Sequence, residues 1–359
     1  MRISVLGGGN GSFAAAADLA SQGHEVRLWR RDREQLLQLM AMPRLGMKDF
    51  SGRREVELAL VTPDIGAAVR QAELILVPTP AFAQEDIALA LAPHLADGQV
   101  IFLPPGTFGS YAMVQTLRQQ GCRADISIAE TGTLPWLARK HGPTEVAITI
   151  RATRLPTGVF PARRAEHAFP ILRAAFPAVE PIEDALAAAL MNAGPIIHPP
   201  LILMNAGPLE HQDRFDIHNE GTQPSVRRVT DALDAERIAV RLGLGYRGEH
   251  FPLSDHYHND RWMYGNAHDR LVESGDWREH IVLTEHRYMT EDIQFGLAFL
   301  VSVAEWAGVA APVAAGLLAI ASAVCGKGLR QGPRTLEALG LAGLSRADMA
   351  ALLADGERR

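Results

Sequence analysis

The sequence predicts an α/β protein whose first half is a doubly wound, mostly parallel sheet and whose second half is all helical. Three observations carry that prediction. Ile3, Val5 and Leu6 form a short apolar strand that runs into Gly7, Gly9 and Gly11, and an Ala-rich helix follows to Ala20. Strand and helix patterns then alternate through the first 183 residues. From Asp184 onward the apolar residues recur only at helical spacing. The expected domains are therefore residues 1–183 and 184–359.

Each element has a local reason. Gly23 stops the first helix, and Glu25–Trp29 is the second strand. Apolar runs at Ala59–Val61, Leu74–Pro78, Val100–Leu103 and Ile126–Ala129 read as strands, separated by helices such as Phe82–Leu95 and Ser110–Gln119. Val146–Ile150 and Val179–Ile182 are expected to extend the same sheet. In the second half, Ala185–Met204, Ser225–Leu242, Arg261–Glu273, Thr290–Ala307 and Pro312–Cys325 read as helices.

A strand, a glycine-rich turn, a helix and a second strand form the opening of a Rossmann-type dinucleotide-binding domain. Gly7 allows the tight turn, and Gly9 lets the backbone approach a pyrophosphate held at the helix N-terminus. Asn10, Gly11 and Ser12 complete the candidate cofactor turn, Ser12 standing where a third glycine is usual. The plainer alternative is a tight turn with no ligand. After the second strand an NAD site usually places an acid on the ribose hydroxyls. Here Trp29 is followed by Arg30, Arg31, Asp32 and Arg33. Arg30 suits a 2′-phosphate, so NADP(H) is expected over the alternative, NAD(H). A solvated basic turn with Asp32 as helix cap would explain the same residues. Pro105, Gly106 and Thr107 end the fifth strand, where the nicotinamide ribose or substrate lies in this topology; a simple Pro/Gly turn is the alternative.

Composition narrows the function classes. The 359 residues are 47% apolar and 21% charged, with a net charge of −6, which implies no general affinity for nucleic acid. Cys122 and Cys325 stand alone without metal-ligand spacing and fit a reducing compartment. Met1 runs straight into the first strand, so no signal peptide and a cytoplasmic location are expected. Val309–Cys325 is apolar but short, and contains Pro312 and Gly316; a buried helix or a homodimer contact is expected there, not a membrane span.

Hydride transfer needs a group that polarises or protonates the acceptor, commonly a histidine oriented by a carboxylate. Among 13 histidines, His198 sits in the apolar, proline-broken run Asn192-Ala-Gly-Pro-Ile-Ile-His198-Pro-Pro. A satisfied core histidine would look the same. Asp292 opens a long apolar helix, where an acid also complements the helix dipole; Glu291 beside it could serve equally. Arg287, five residues before Asp292, could clamp a carboxylate. The histidines between His250 and His286, with His256 and His258, lack consistent metal spacing, so no metal is expected.

With these segments in view, the chain resembles the opine dehydrogenases, the group that includes octopine and nopaline dehydrogenases and the bacterial N-(1-carboxyethyl)-norvaline dehydrogenase. The similarity covers the Gly7–Gly11 turn, Pro105-Gly106, Asn192…His198-Pro199, Glu220-Gly221…Pro224-Ser225-Val226, Asp234-Ala-Glu-Arg237, Arg287-Tyr…Glu291-Asp292 and Arg334-Thr-Leu-Glu…Leu341. The resemblance implies a catalytic dyad of His198 and Asp292, with Arg287 on a substrate carboxylate. Thr107 takes the place of a polar residue that touches the keto acid, and Arg30 replaces the acid of NAD-using members. The implied reaction is an NAD(P)H-dependent reductive condensation of an amino acid with a 2-keto acid such as pyruvate. Two alternatives stand beside it. One is an NADPH-dependent reductase of the glycerol-3-phosphate or ketopantoate type, which would use a lysine as acid. The other is a non-catalytic dinucleotide sensor.

Overall fold

A computed structural model describes residues 1–257 and 280–357. Among them lie twelve strands: β1 (Arg2–Leu6), β2 (Glu25–Trp29), β3 (Arg44–Asp49), β4 (Gly52–Glu57), β5 (Leu60–Thr62), β6 (Leu74–Leu76), β7 (Val100–Leu103), β8 (Ser127–Thr131), β9 (Trp136–Lys140), β10 (Glu145–Arg151), β11 (Leu155–Phe160) and β12 (Val179–Pro181). Eight form one sheet in the order β12-β11-β8-β7-β6-β1-β2-β5. All its neighbours are parallel except β11 and β8. Strand order reverses beside β1, between β6 and β2. A crevice for a ligand therefore opens at the carboxyl ends of β1 and β6.

The helix α1 (Asn10–Ser21) starts directly after the glycine turn, and Phe13 through Ala17 and Leu19 bury its inner face. Shorter helices α2 (Leu37–Ala41), α3 (Ile65–Val69), α4 (Gln84–Leu91), α5 (Gly109–Gln119) and α6 (Ala165–Ala175) accompany the sheet.

One expectation is corrected. Val146–Ile150 lies in β10, which does not extend the main sheet but joins a second sheet of order β4-β3-β10-β9. This sheet packs on α1. It is pinned there by the buried Asp18, which accepts hydrogen bonds from Trp136 Nε1 at 2.7 Å and Arg151 Nη2 at 2.7 Å.

Every described element after β12 is helical. The expected helix Ala185–Met204 is two, α7 (Ala185–Ala189) and α8 (Gly194–Met204), broken at Leu190–Ala193. This run has the length and mean hydropathy of a membrane span, yet 78% of the span window is buried inside the protein. α9 (Ala206–His211) and α10 (Pro224–Gly243) follow. The expected helix Thr290–Ala307 begins as wide π-helical turns over Tyr288–Leu297 and continues as an α-helix over Ala298–Ala307. Pro312–Cys325 is helical as expected, with Ala314, Leu317, Leu318 and Ala321 buried. The expected helix Arg261–Glu273 lies outside the described residues, as does His258. The last helix, Arg346–Asp355, returns to the first domain, where Arg163 Nε donates to Asp355 O at 3.1 Å.

Candidate active site

The site starts at the carboxyl end of β1. Gly7 has φ +128°, a backbone that L side chains rarely adopt, and a Cβ there would meet the buried Ser12 Oγ. Gly9 caps α1 without a side-chain hydrogen bond, so the first amides of the helix point outward with no side-chain acceptor at the cap. Arg30, just past β2, lies over Gly8: a Cβ there would fall 2.5 Å from its Cδ and 2.6 Å from its Nε.

The residues fit a phosphate-bearing cofactor. Arg30 Nη1, Ser12 Oγ and Thr79 Oγ1 are buried without a hydrogen-bond partner among the described residues. Lys140, at the end of β9, is close enough for Arg30 to help hold its ammonium below the usual lysine range, though burial contributes more. Its backbone N–H donates to Asn10 Oδ1 at 3.0 Å, and its Nζ lies 3.8 Å from the Phe13 ring centre. Neither cation has a carboxylate partner among the described residues. Two facing cations with a buried unpaired guanidinium nitrogen suit an anion.

From this turn a cleft runs to the helical domain. Asn10, Gly11, Pro105 and Arg139 line it together with Asn192, His198, His218, Arg287, Tyr288 and Asp292. His198, on α8, meets Asp292, on the π-helical segment, with Nδ1 2.7 Å from Oδ2. Glycine makes that approach possible: a Cβ at Gly194 would collide with Asp292 Oδ1, and one at Gly296 would collide with Pro195. The wide turns of Tyr288–Leu297 let this strip lie flat on α8; such turns are common where a side chain must be re-aimed. Burial holds the His198 imidazole below the usual histidine range, while the Asp292 charge and hydrogen bond oppose it.

The sequence-derived residues divide by position. His198, Asp292 and Arg287 share the cleft with Asn10, Gly11 and Pro105. Glu291, the alternative carboxylate, turns the other way and accepts from the Ala81 N–H at 3.2 Å. Thr107 does not line the cleft; it is buried, and its hydroxyl accepts from Asn192 Nδ2 at 2.8 Å. It thus fixes Asn192 instead of facing the cleft. Gly106 is packed so tightly against Glu130 that no Cβ fits. Tyr288, His218 and Lys140 were not singled out from sequence. Tyr288 had a signal, since it follows Arg287 in the quoted motif; His218 and Lys140 had none.

Comparison with known proteins agrees with this architecture. Residues 181–325 match the model for the NAD/NADP octopine/nopaline dehydrogenase α-helical domain, and residues 2–106 match the NAD-dependent glycerol-3-phosphate dehydrogenase N-terminus. An opine dehydrogenase from Arthrobacter sp. strain 1C is 28% identical over 351 residues, covering 96% of each chain. Over nearly its whole length the chain is therefore similar to an opine dehydrogenase. An octopine dehydrogenase solved with NADH and agmatine shares its fold, with a TM-score of 0.72 at 20% identity over 99% of this chain and 98% of that one. A yersinopine dehydrogenase solved with NADP+ has a TM-score of 0.69 at 16% identity over the same shares. Proteins of this fold have thus been solved with either nicotinamide cofactor. The glycerol-3-phosphate match is confined to the first domain, which explains why the opening of this chain also suits that reading.

Proposed function

We propose that the protein is an NAD(P)H-dependent opine dehydrogenase that condenses an amino acid with a 2-keto acid such as pyruvate. The observation that carries this is the 2.7 Å His198–Asp292 pair, set in the same cleft as the glycine turn. The amine adds to the keto carbon, water leaves, and an imine remains. When bound, the nicotinamide supplies the hydride for the imine carbon. With Nδ1 engaged by Asp292, His198 keeps Nε2 for substrate: it protonates the departing hydroxyl and takes the proton back in the oxidative direction. Asp292 fixes the tautomer and stabilises the imidazolium. Arg287, half-exposed at the cleft, orients a carboxylate.

Arg30 and Lys140 support NADP(H) as the preferred cofactor, with the 2′-phosphate between them. Two further readings accompany this. The exposed Ile320 and Val324 on the Pro312–Cys325 helix support a homodimer. The two free cysteines support a reducing, cytoplasmic location.

The test is NADPH oxidation on adding pyruvate with a panel of amino acids, alongside dihydroxyacetone phosphate and ketopantoate. Turnover only with keto acid plus amine is expected. Turnover with ketopantoate or the phosphate ester alone favours the reductase alternative, and cofactor binding without any turnover favours the sensor.

A further inference from the structure

The His198 ring does not rest on an aliphatic wall. It lies face to face with the Tyr288 ring, centroids 3.7 Å apart and planes within 9°. Tyr288 is buried at 3% exposure, and its hydroxyl is 2.7 Å from Nε2 of the buried His218. The His286 ring meets Tyr288 at 86° with centroids 4.3 Å apart, and the Tyr288 N–H points to His286 Nδ1 at 3.3 Å. Tyr288 is therefore held at its backbone, its ring and its hydroxyl.

We infer that Tyr288 is the positioning residue of the dyad: its ring is the platform that fixes the His198 imidazole and stabilises its cationic form, and His218 locks the platform in place. The inference rests on His198 being the acid–base group of the proposed reaction. Two physical effects follow from the geometry. A flat partner at van der Waals distance leaves the imidazole one plane, so Nε2 keeps one direction into the cleft. An electron-rich face attracts a cation, and imidazolium is the form that Asp292 also favours. Besides burial, the charged groups opposing the cation are Arg287 and His286, both just ahead of Tyr288 in the chain. His218 faces Tyr288 from the loop ahead of α10. Without the aromatic face, Asp292 alone would stabilise the charge against burial.

The experiment compares Tyr288→Leu, Tyr288→Phe and His198→Ala in the full-length protein. Leucine keeps the site dry but removes the π face. Tyr288→Leu is expected to lower kcat about 10- to 100-fold, with substrate KM and NADPH Kd changed less than about threefold. The acid limb of kcat/KM for opine oxidation should move about 0.5–1 unit lower, because the imidazolium loses a stabilising partner. Tyr288→Phe keeps the stack and should retain at least about a third of kcat. A kcat for Tyr288→Leu within threefold of wild type overturns the inference. So does a Phe variant as impaired as the Leu variant, which would make the hydroxyl the acting group. If Tyr288→Leu does not fold, ring-fluorinated phenylalanines at 288 preserve shape while draining the π face. A kcat that falls with fluorination supports the platform, and a flat series overturns it. His198→Ala separates the two levels: if it too turns over normally, the acid–base reading itself has failed.

Discussion

At the scale of single residues, the proposed reaction makes His198 and Asp292 one unit, and their mutants should show this. His198→Ala is expected to lower kcat by about two to four orders of magnitude while NADPH binding persists. Asp292→Asn should also cut turnover strongly, and the double mutant should be little worse than His198→Ala; fully additive losses would mean the pair is wrongly assigned. The pH sign is fixed as well. Burial lowers the His198 pKa, so the base needed for opine oxidation stays deprotonated to below the ordinary value of about 6.5. Removing the Asp292 charge should carry that acid limb lower still. Gly194→Ala offers an independent check: its Cβ would displace Asp292 Oδ1, so it should mimic Asp292→Asn without changing any titratable group. For the cofactor, wild type is expected to bind NADPH more tightly than NADH, and Arg30→Asp to reverse the order; a clear wild-type preference for NADH in fluorescence titrations would refute the 2′-phosphate subsite. The local runs alone left a core histidine and Glu291 open; the family resemblance named His198 and Asp292 as a pair, and the structure places them 2.7 Å apart. Tyr288 and His218 were less legible, because an aromatic residue at the start of an apolar helix reads as core. Only the fold shows that its face meets His198.

Among the elements, those with local signals were legible and those assembled over long range were not. Glu25–Trp29 and Pro312–Cys325 were read to the residue, because each is a periodic run bounded by turn residues. The second sheet was missed. Its strands β3 and β4 carry RLGMKD and GRREVE, where charged residues alternate with the few buried ones, Leu45, Met47 and Val56. β3 also pairs with β10, a partner about a hundred residues away, which no local pattern reveals. The turn after β7 is another element that only packing explains. Thr107 and Phe108 both have left-handed φ, +54° and +58°, a conformation costly for side-chain-bearing residues. The fully buried Glu130 holds it by accepting from the Phe108 N–H at 2.8 Å and from the Ser110 N–H and hydroxyl. Burial pushes the Glu130 carboxyl up to about 7. A folded-state pKa above the unfolded value means stability is fully present below the unfolded pKa and is lost as pH rises through about 7. A shift of this size corresponds to about 3 kcal/mol. The melting temperature should therefore fall between pH 5 and 8, and Glu130→Gln should flatten that fall. An unchanged slope in the Gln variant would exonerate Glu130.

For the whole molecule to work, the cofactor turn on one domain and the dyad on the other must keep a fixed separation. Ala81, in the loop after β6, is gripped from the helical half at both of its backbone groups. Glu291, one residue before the dyad aspartate, accepts from its N–H at 3.2 Å, and Arg334 Nη2 donates to its carbonyl at 3.1 Å. Arg334 is fully buried, and its Nη1 also donates to Gln84 Oε1 at 3.0 Å. Gln84 in turn donates to Gly106 O at 3.1 Å, so the grip reaches the turn that carries Pro105 into the cleft. Removing the guanidinium would strand the Ala81 carbonyl and the Gln84 amide oxygen in a dry interior, a cost of about 2–4 kcal/mol. Arg334→Met, close to it in size, should therefore lower the melting temperature by several degrees. Thr79, two residues before Ala81, packs beside Gly7, so NADPH affinity should weaken together with kcat as the dyad loses its registration against the cofactor domain. The same substitution carries an electrostatic signature. The hydrogen bonds from Ser110 and Phe108 chiefly restrain the upward shift of Glu130, and the Arg334 charge adds a smaller restraint. Without it that carboxyl should titrate higher, and the alkaline loss of stability should extend to higher pH than in wild type. A variant that melts lower but keeps both wild-type kcat and the wild-type pH slope would show Arg334 to be packing alone, and the registry of the two halves would then have to come from elsewhere in the interface.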